Sequence, residues 1–524
     1  MDGGPLGTGD QGPRGPRGRG ARVRSRRSPF QGERAIGAPV HPERGHVPSV
    51  GNMKEYDMIA IGSGSAVSVL DGWLRAHPGS RAAVIDKDAP GGICLTRGCI
   101  PSKLLIAAAE VARTVQRAGE FGVSVPAWQV DFPKVMERMH QHIDPEIRAI
   151  GESLRHASDI DYVPGPVEFT GPYTLRTPSG EAIHSERILL GLGSEPHVPA
   201  IPGLAEAGYL TSDTVFSLRR LPPRLAILGG GYIAAEFAHF FSAMGSQVTV
   251  VGRNPRLLPN EDPEVSETVA RSLDRRVRLL LGRAPTGVSG EGRRGKRLSL
   301  PASAAGREEV LEVDEVLVAT GRSSLSPLLH PERAGVRTDP AGWIQVNEFL
   351  ETSQPGIWAL GDATGSHHQF KHRANHDAEV LYWALVHGRK IPVDYHAVPH
   401  AVFTDPEVAS VGLTLPEALA RHGSENVLVG RYEYKDTAKG EALGAEEGFV
   451  KVLVGVQTME ILGAHIVGPQ ASVLLQEIVN LLYVPGRSAR PLLEAMHIHP
   501  ALNEVVQRAF LSLRPLPSGS AAAH

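Results

Sequence analysis

The sequence is poor in sulfur: its 524 residues contain two cysteines, Cys94 and Cys99, both inside "GGICLTRGCIPSKLL". So few exclude a disulfide-stapled secreted scaffold. A structural zinc site needs four ligands, and no second cysteine pair or nearby histidine cluster supplies the rest. A staple across so short a loop would constrain the unfolded chain weakly, and a chain of this length buries a core without one. Two readings of the pair stay open at this point, a dithiol that cycles to a disulfide and two inert cysteines used as small apolar fillers. Charge of one sign is also lacking. The formal net charge of -3 argues against bulk electrostatic capture of nucleic acid or membrane. No uninterrupted apolar run reaches the roughly 18 residues of a bilayer span, and no signal peptide is seen, so the expected location is the reducing cytoplasm, where a disulfide is catalytic more often than structural.

What is present describes a globular α/β chain of two to four domains, with 41% hydrophobic residues, 21% charged residues and 58 glycines. Residues 1–52 differ from the rest. Stretches such as "GPRGPRGRGARVRSRRSP" lack hydrophobic periodicity and cannot repay the entropy of folding. We expect a disordered Gly/Pro/Arg-rich tail, with Met53 as the natural start. An Arg-rich arm that contacts RNA or anionic lipid, or a transit peptide, is the alternative, although Gly and Pro oppose the amphipathic helix of such peptides.

From Met53 strands and helices alternate. "EYDMIAIGSGSAVSVLDGWL" reads as a buried strand, a glycine turn at Gly62 and Gly64, and a helix, the opening of a dinucleotide fold in which a pyrophosphate rests on the helix N-terminus. Val67 holds the third glycine position, which predicts looser packing of helix on strand. The next strand, "RAAVID", ends in Asp86, placed to accept hydrogen bonds from a ribose diol. "RLAILGGGYIAAEFAHFFSAMGSQVTVVGR" repeats the plan with Gly229, Gly231 and Ala234, so two nucleotides are implied. "GIWALGDATG" delivers Asp362 at a strand's carboxyl end, suited to a hydroxyl-rich ligand such as a ribityl chain. "ERILLGLGS" and "DEVLVATGR" end in glycine turns at Gly193 and Gly321, where we expect the chain to cross between domains.

Two dinucleotide motifs, "GGICLTRGCIPSK", "ATGR", "ALGDATG" and a late "HIHPALNE" stand in the order that resembles the flavin-dependent pyridine nucleotide-disulfide oxidoreductases. The likeness runs from about residue 54 to 512. It is most similar to the dihydrolipoamide dehydrogenase branch, and "FKHRANHDAE" is similar to mycothione reductases. The resemblance implies an α/β fold with two Rossmann-like dinucleotide-binding domains, for FAD and NAD(P), and a C-terminal α+β dimerisation domain. The boundaries expected are 54–200 and 326–393 for FAD, 201–325 for NAD(P) and 394–514 for the interface, where "VLVGVQTMEILGAHIVG" resembles the dimer-forming sheet.

The same resemblance assigns roles. FAD would meet Gly62, Gly64, Asp86, Lys103, Gly193 and Asp362, and NAD(H) or NADP(H) would meet Gly229, Gly231, Tyr232, Ala234, Arg253 and Gly321. Cys99 would be the thiol facing the flavin, with a lowered pKa, and Cys94 the one exchanging with substrate sulfur. Lys103 would lie near the flavin and pair with Glu236, since a buried charge needs a partner. Tyr232 resembles an aromatic gate over the nicotinamide. His499 would take the dithiol proton, with Glu504 orienting it, and would reach the disulfide of the other subunit of a homodimer. No metal is expected; His497 and His499 lack a cluster to complete a site. The absence of a third cysteine departs from mercuric reductases and from high-molecular-weight thioredoxin reductases, which use a C-terminal pair or redox centre. The turn Gly191-Leu192-Gly193 also departs from the family's "ATG".

The function this resemblance implies is dihydrolipoyl dehydrogenation, from a lipoyl-domain or small-molecule dithiol through the disulfide and flavin to NAD+, with a 2-oxoacid dehydrogenase complex as a candidate partner. The second nucleotide strand, however, ends in Gly252 and Arg253 where NAD-using relatives carry a carboxylate, which makes an NADPH-driven reductase of a low-molecular-weight disulfide the rival. A flavoprotein scaffold without turnover is the alternative from another class, opposed by the joint presence of Cys94, Cys99, Lys103, His499 and Glu504.

Overall fold

A computed structural model describes residues 53–290, 295–301, 309–366 and 368–516. The tail reading of residues 1–52 lies outside the described residues.

The first glycine turn opens a five-stranded parallel sheet. Its order is Ile357–Ala359, Ile188–Leu190, Met58–Ile61, Ala82–Asp86, Ile160–Pro164. The strands "MIAI", "AAVI" and "ILL" are buried residue for residue, because a parallel sheet is covered on both faces and loses the alternation of a half-exposed strand. Pairing of Ile61 with Ile85 and of Ile61 with Leu190 brings Gly62, Asp86 and Gly191 to one edge of the sheet, at the strands' carboxyl ends. The second motif builds a like sheet, Leu210–Thr211, Glu315–Val318, Arg224–Leu228, Gln247–Gly252, Arg278–Leu281, again all parallel. Between the two sheets the segments after Gly193 and Gly321 do not merely cross: Ser194–Pro196 pairs antiparallel with Arg322–Ser324.

Residues 400–515 form a six-stranded antiparallel sheet, in the order His400–Val402, Val408–Gly412, Ile461–Val467, Phe449–Gly455, Val427–Glu433, Arg514–Pro515. The helices Ala471–Leu482 and Glu504–Leu511 share its apolar core. Buried ion pairs tie this sheet to the second nucleotide fold: Lys451 Nζ lies 2.8 Å from Asp262, whose side chain also caps the helix Pro263–Asp274. Both charges are removed from water, so the pair fixes geometry more than it adds stability.

The segment around the cysteines is not a turn. It is a short helix, Gly92–Arg97, a break at Gly98, and a 19-residue helix, Cys99–Arg117. By length and composition alone, 92–121 is a helical stretch long and apolar enough to cross a bilayer, although charged residues such as Arg97, Lys103 and Glu110 interrupt it. Its apolar face has another use: Leu105, Ala109 and Ala112 pack with Phe237, Phe240 and Phe241 of the helix Tyr232–Met244 in a shared core.

Candidate functional site

A cavity of ≈ 680 Å³ runs along the carboxyl edge of the first sheet and reaches both cysteines, Lys103, Glu236 and Tyr232. Its floor is the first glycine turn. Gly62 has φ +102°, and a Cβ there would stand 2.1 Å from the Gly191 carbonyl oxygen, so no other residue fits. Gly64 is pressed against Gly92, whose own Cβ would meet Gly64 Cα at 2.7 Å. The altered turn acquires a reason here: a Cβ on Gly191 would lie 2.7 Å from Ala66 Cβ, so the missing side chain admits the helix Ala66–Ala76. Close packing is thus achieved through Ala66 and Gly191, while Val67 is half-buried beside them.

Asp86 is already oriented. One oxygen accepts from Ser63 N at 2.8 Å and Ser63 Oγ at 2.5 Å, and the other from Asp88 N at 3.0 Å. At another strand end Asp362 accepts from Ser194 Oγ at 2.7 Å, and Arg322 donates to the same hydroxyl at 2.5 Å, so the paired crossing strands hold this carboxylate in place. Gly193, with φ +69°, lies against Ile93 of the cysteine segment. A glycine floor that admits a pyrophosphate, carboxylates at two strand ends for hydroxyls, and a cavity continuing to a thiol pair fit FAD.

The two cysteines are present as thiols, Cys94 half-buried and Cys99 exposed at the first position of its helix. The Cys99 thiol donates a hydrogen bond to Cys94, and with help from the Lys371 charge this brings the Cys94 thiol down to about 7. The same hydrogen bond pushes Cys99 up, since its proton is held by the neighbouring sulfur.

Lys103 Nζ lies 2.9 and 2.7 Å from the two oxygens of Glu236. Sequence reasoning missed the third member: Phe403 donates its backbone N–H to Glu236 at 3.1 Å, and its ring lies 4.6 Å from the Lys103 ammonium. A backbone donor leaves no residue-type signal. Tyr232 packs near Phe370, 6.3 Å between ring centroids, on the wall that also carries Lys371. That lysine was within reach of the sequence, inside the quoted "FKHRANHDAE".

In the second fold Gly229, φ +129°, repeats the geometry of Gly62, for its Cβ would meet the Ala319 oxygen at 2.1 Å. Ala234 is fully buried, Gly231 precedes the helix Tyr232–Met244, and Gly321, φ +116°, accepts from His197 N at 2.9 Å. Gly252 ends the strand beside Gly230, and Arg253 and Arg256 that follow it are exposed and make no ion pair among the described residues.

One expected pair is formed but stands elsewhere. His499 Nδ1 is 3.0 Å from Glu504 Oε1, and Glu504 Oε2 accepts from Ala501 N at 3.1 Å, yet neither residue lines the cavity. The His499 side chain is 71% exposed. The hydrogen bond from His499 holds the Glu504 carboxyl below its ordinary range. Among the described residues no group of three or more His, Cys, Asp or Glu side chains is disposed to hold a metal ion.

Two nucleotide cradles that converge on a thiol pair define a flavin-linked enzyme that exchanges electrons between a dithiol or disulfide and a nicotinamide. The chain belongs to the pyridine nucleotide-disulphide oxidoreductase family, whose pattern matches residues 56–378, with the family's dimerisation domain at 398–510. FAD and NAD(P) are accordingly its cofactors, and the second match marks a homodimer. It is 38% identical over 475 residues to mycothione reductase of Mycobacterium tuberculosis, covering 88% of this chain and 100% of that one. With dihydrolipoyl dehydrogenase of Chlamydia trachomatis it shares 34% over 461 residues, 86% of this chain and 95% of the other. Among solved structures, the HOCl-induced flavoprotein disulfide reductase RclA from Escherichia coli superimposes with a TM-score of 0.76 at 27% identity, over 87% of this chain and 99% of that chain.

Proposed function

We propose that the enzyme is an NADPH-dependent reductase of a low-molecular-weight disulfide. The observation that carries this reading is the pair of exposed, unpaired arginines, Arg253 and Arg256, at the end of the second nucleotide strand. A carboxylate there would accept from an adenosine ribose diol; guanidinium groups instead favour a 2′-phosphate, which they bind through charge-assisted hydrogen bonds. The 38% identity to a mycothione reductase supports the same direction.

FAD, when bound, supplies a two-electron relay between the nicotinamide and the Cys94-Cys99 pair. The chain's residues handle sulfur and protons. In the reduced pair the Cys94 thiolate attacks one sulfur of the substrate disulfide, forming a mixed disulfide and expelling a thiolate that takes a proton from His499. Cys99 then attacks Cys94, the second thiol leaves, and the Cys94-Cys99 disulfide is restored. Glu504 holds the imidazole and stabilises its charged form. Lys103, paired with Glu236, lines the same cavity as the two cysteines. Because His499 is remote from the cavity of its own chain, its proton is delivered to the partner subunit's cysteines.

The same groups run backwards as a dihydrolipoyl dehydrogenase, with a lipoyl dithiol as donor and NAD+ as acceptor, and the Chlamydia relative favours that second reading. Steady-state rates with NADPH and NADH, each against lipoamide, glutathione disulfide and mycothione, separate the two. We expect kcat/KM for NADPH to exceed that for NADH by at least about tenfold, and Arg253→Ala with Arg256→Ala to remove the preference through KM. A preference for NADH and lipoamide would overturn the proposal.

A further inference from the structure

Behind the wall that carries Asp362, Arg373 and Asp377 form an ion pair, Nε 3.6 Å from Oδ2, with side chains 4% and 0% exposed. They stand four residues apart on the helix Lys371–His387. A pair withdrawn from water to this extent gains little net stability from its own attraction, so what it contributes lies in the groups it holds.

What it holds is a turn. The same Asp377 oxygen accepts from Gly361 N at 2.9 Å, Arg373 Nη1 donates to the Gly361 carbonyl at 3.2 Å, and Arg373 Nη2 donates to Thr364 Oγ1 at 2.7 Å. Gly361–Thr364 is the short turn that follows the strand Ile357–Ala359 and carries Asp362. It is pressed onto the helix, for a Cβ on Gly361 would lie 3.0 Å from Ala374 Cβ. Tyr395 completes the network: its hydroxyl donates to Asp377 Oδ1 at 2.5 Å and accepts from Arg373 Nη2 at 3.2 Å. Burial and the neighbouring Asp377 charge push the phenol up, so its proton stays on the oxygen.

We propose that Arg373, Asp377 and Tyr395 are positioning residues for FAD that act through Asp362. The inference rests on the reading of Asp362 as a ligand of FAD, not on the choice of substrate. None of the three lines the cavity, so their influence on the cofactor passes through the turn. Asp362 is thereby held twice. Ser194 Oγ, at 2.7 Å, sets the carboxylate, and the clamp sets the backbone on both sides of it. Hydrogen bonds weaken steeply with distance and angle, so a turn that shifts carries the carboxylate out of register with a bound hydroxyl.

The test is a double-mutant cycle on FAD affinity. Tyr395→Phe removes one hydroxyl and keeps the ring; Asp362→Asn alters the ligand itself. The dissociation constant of FAD is read from flavin fluorescence on dilution of each purified holoenzyme. Tyr395→Phe should weaken FAD about fivefold and Asp362→Asn about tenfold, and the double variant should stay near the Asp362→Asn value, far from the product of about fiftyfold. A contribution to the fold alone would weaken FAD by the same factor in both backgrounds, and melting temperatures of the four proteins show how much stability each change removes. A double variant at the product would overturn the proposal, as would an unchanged FAD affinity in Tyr395→Phe. An unchanged affinity in Asp362→Asn removes the reading of Asp362 and the inference with it, whereas the product removes the inference alone.

Discussion

At the scale of single residues the site is asymmetric in its two sulfurs. Cys99 opens a long helix and Cys94 sits in the short helix before it, so they differ in neighbours although both belong to one motif. The hydrogen bond between them lowers the Cys94 thiol, the sulfur assigned to substrate exchange, and raises that of Cys99. Assignment of Cys99 to the flavin side makes a separable claim. In the oxidised flavoprotein, Cys94→Ser should leave a thiolate-flavin absorption band at long wavelength, since Cys99 is then freed from its proton-sharing partner, and Cys99→Ser should show none. Equal spectra for the two variants would reverse or void the assignment.

At the scale of elements, two helices carry the polar spine of the site. Cys99, Lys103 and Arg113 are spaced to share one face of the helix Cys99–Arg117, and Tyr232, Glu236 and His239 one face of Tyr232–Met244. Lys103 meets Glu236, and Arg113 meets Asp405 at 3.0 Å; Asp405 in turn lies two residues from Phe403, which binds Glu236. Deeper in the same stripe His239 is fully buried beside Arg276, which donates to the Asp405 carbonyl at 2.8 Å. Burial and the neighbouring guanidinium hold the imidazole down at about 4, against an ordinary value of 6.5. The folded state therefore binds fewer protons than the unfolded chain between these values. Its stability contribution is complete above about pH 6.5 and lost as pH falls toward 4, by on the order of 3 kcal/mol. His465, also buried and lowered, acts in the same direction, so the comparison is with a variant. Urea midpoints of His239→Gln should change less between about pH 7 and 5 than those of the wild type; parallel curves would show that His239 is not held neutral.

At the scale of the whole molecule, the acid-base pair and the thiol pair lie in different parts of one chain. His499 lies in the segment between the helices Arg490–Glu494 and Glu504–Leu511, with Met496 and Ile498, which are 101% and 77% exposed. These residues belong to the stretch 398–510 that matches the family's dimerisation domain. Homodimers of Cys94→Ser and of His499→Ala should both be nearly inactive, one lacking the exchanging sulfur and the other the base. A heterodimer of the two carries one site built from intact Cys94 and intact His499, so mixed dimers purified through two tags should recover about half of the wild-type rate. Mixed dimers as inactive as their parents would place the base within its own chain.

The nucleotide folds were legible in the sequence because each rests on a local rule. A buried parallel strand must be continuously apolar, and only glycine tolerates the backbone of Gly62 and Gly229 against the opposing carbonyls of Gly191 and Ala319. The same holds for the cysteine motif and for His499 with Glu504, five residues apart and joined by one hydrogen bond. What the sequence left undecided depends on residues distant in the chain. The role of Gly191 is set by Ala66, the orientation of Asp362 by two crossing strands, and the third partner of Glu236 by the backbone of Phe403. Protonation of the cysteines belongs to the same class. The hydrogen bond between the sulfurs and the charge of Lys371, 277 positions after Cys94 in the numbering, both lower the Cys94 thiol. Backbone conformation and periodicity are properties of neighbours in the chain, so the sequence by itself determined them. Electrostatic balance is a sum over everything that folding brings within a few ångströms, and the tertiary structure alone decided that sum.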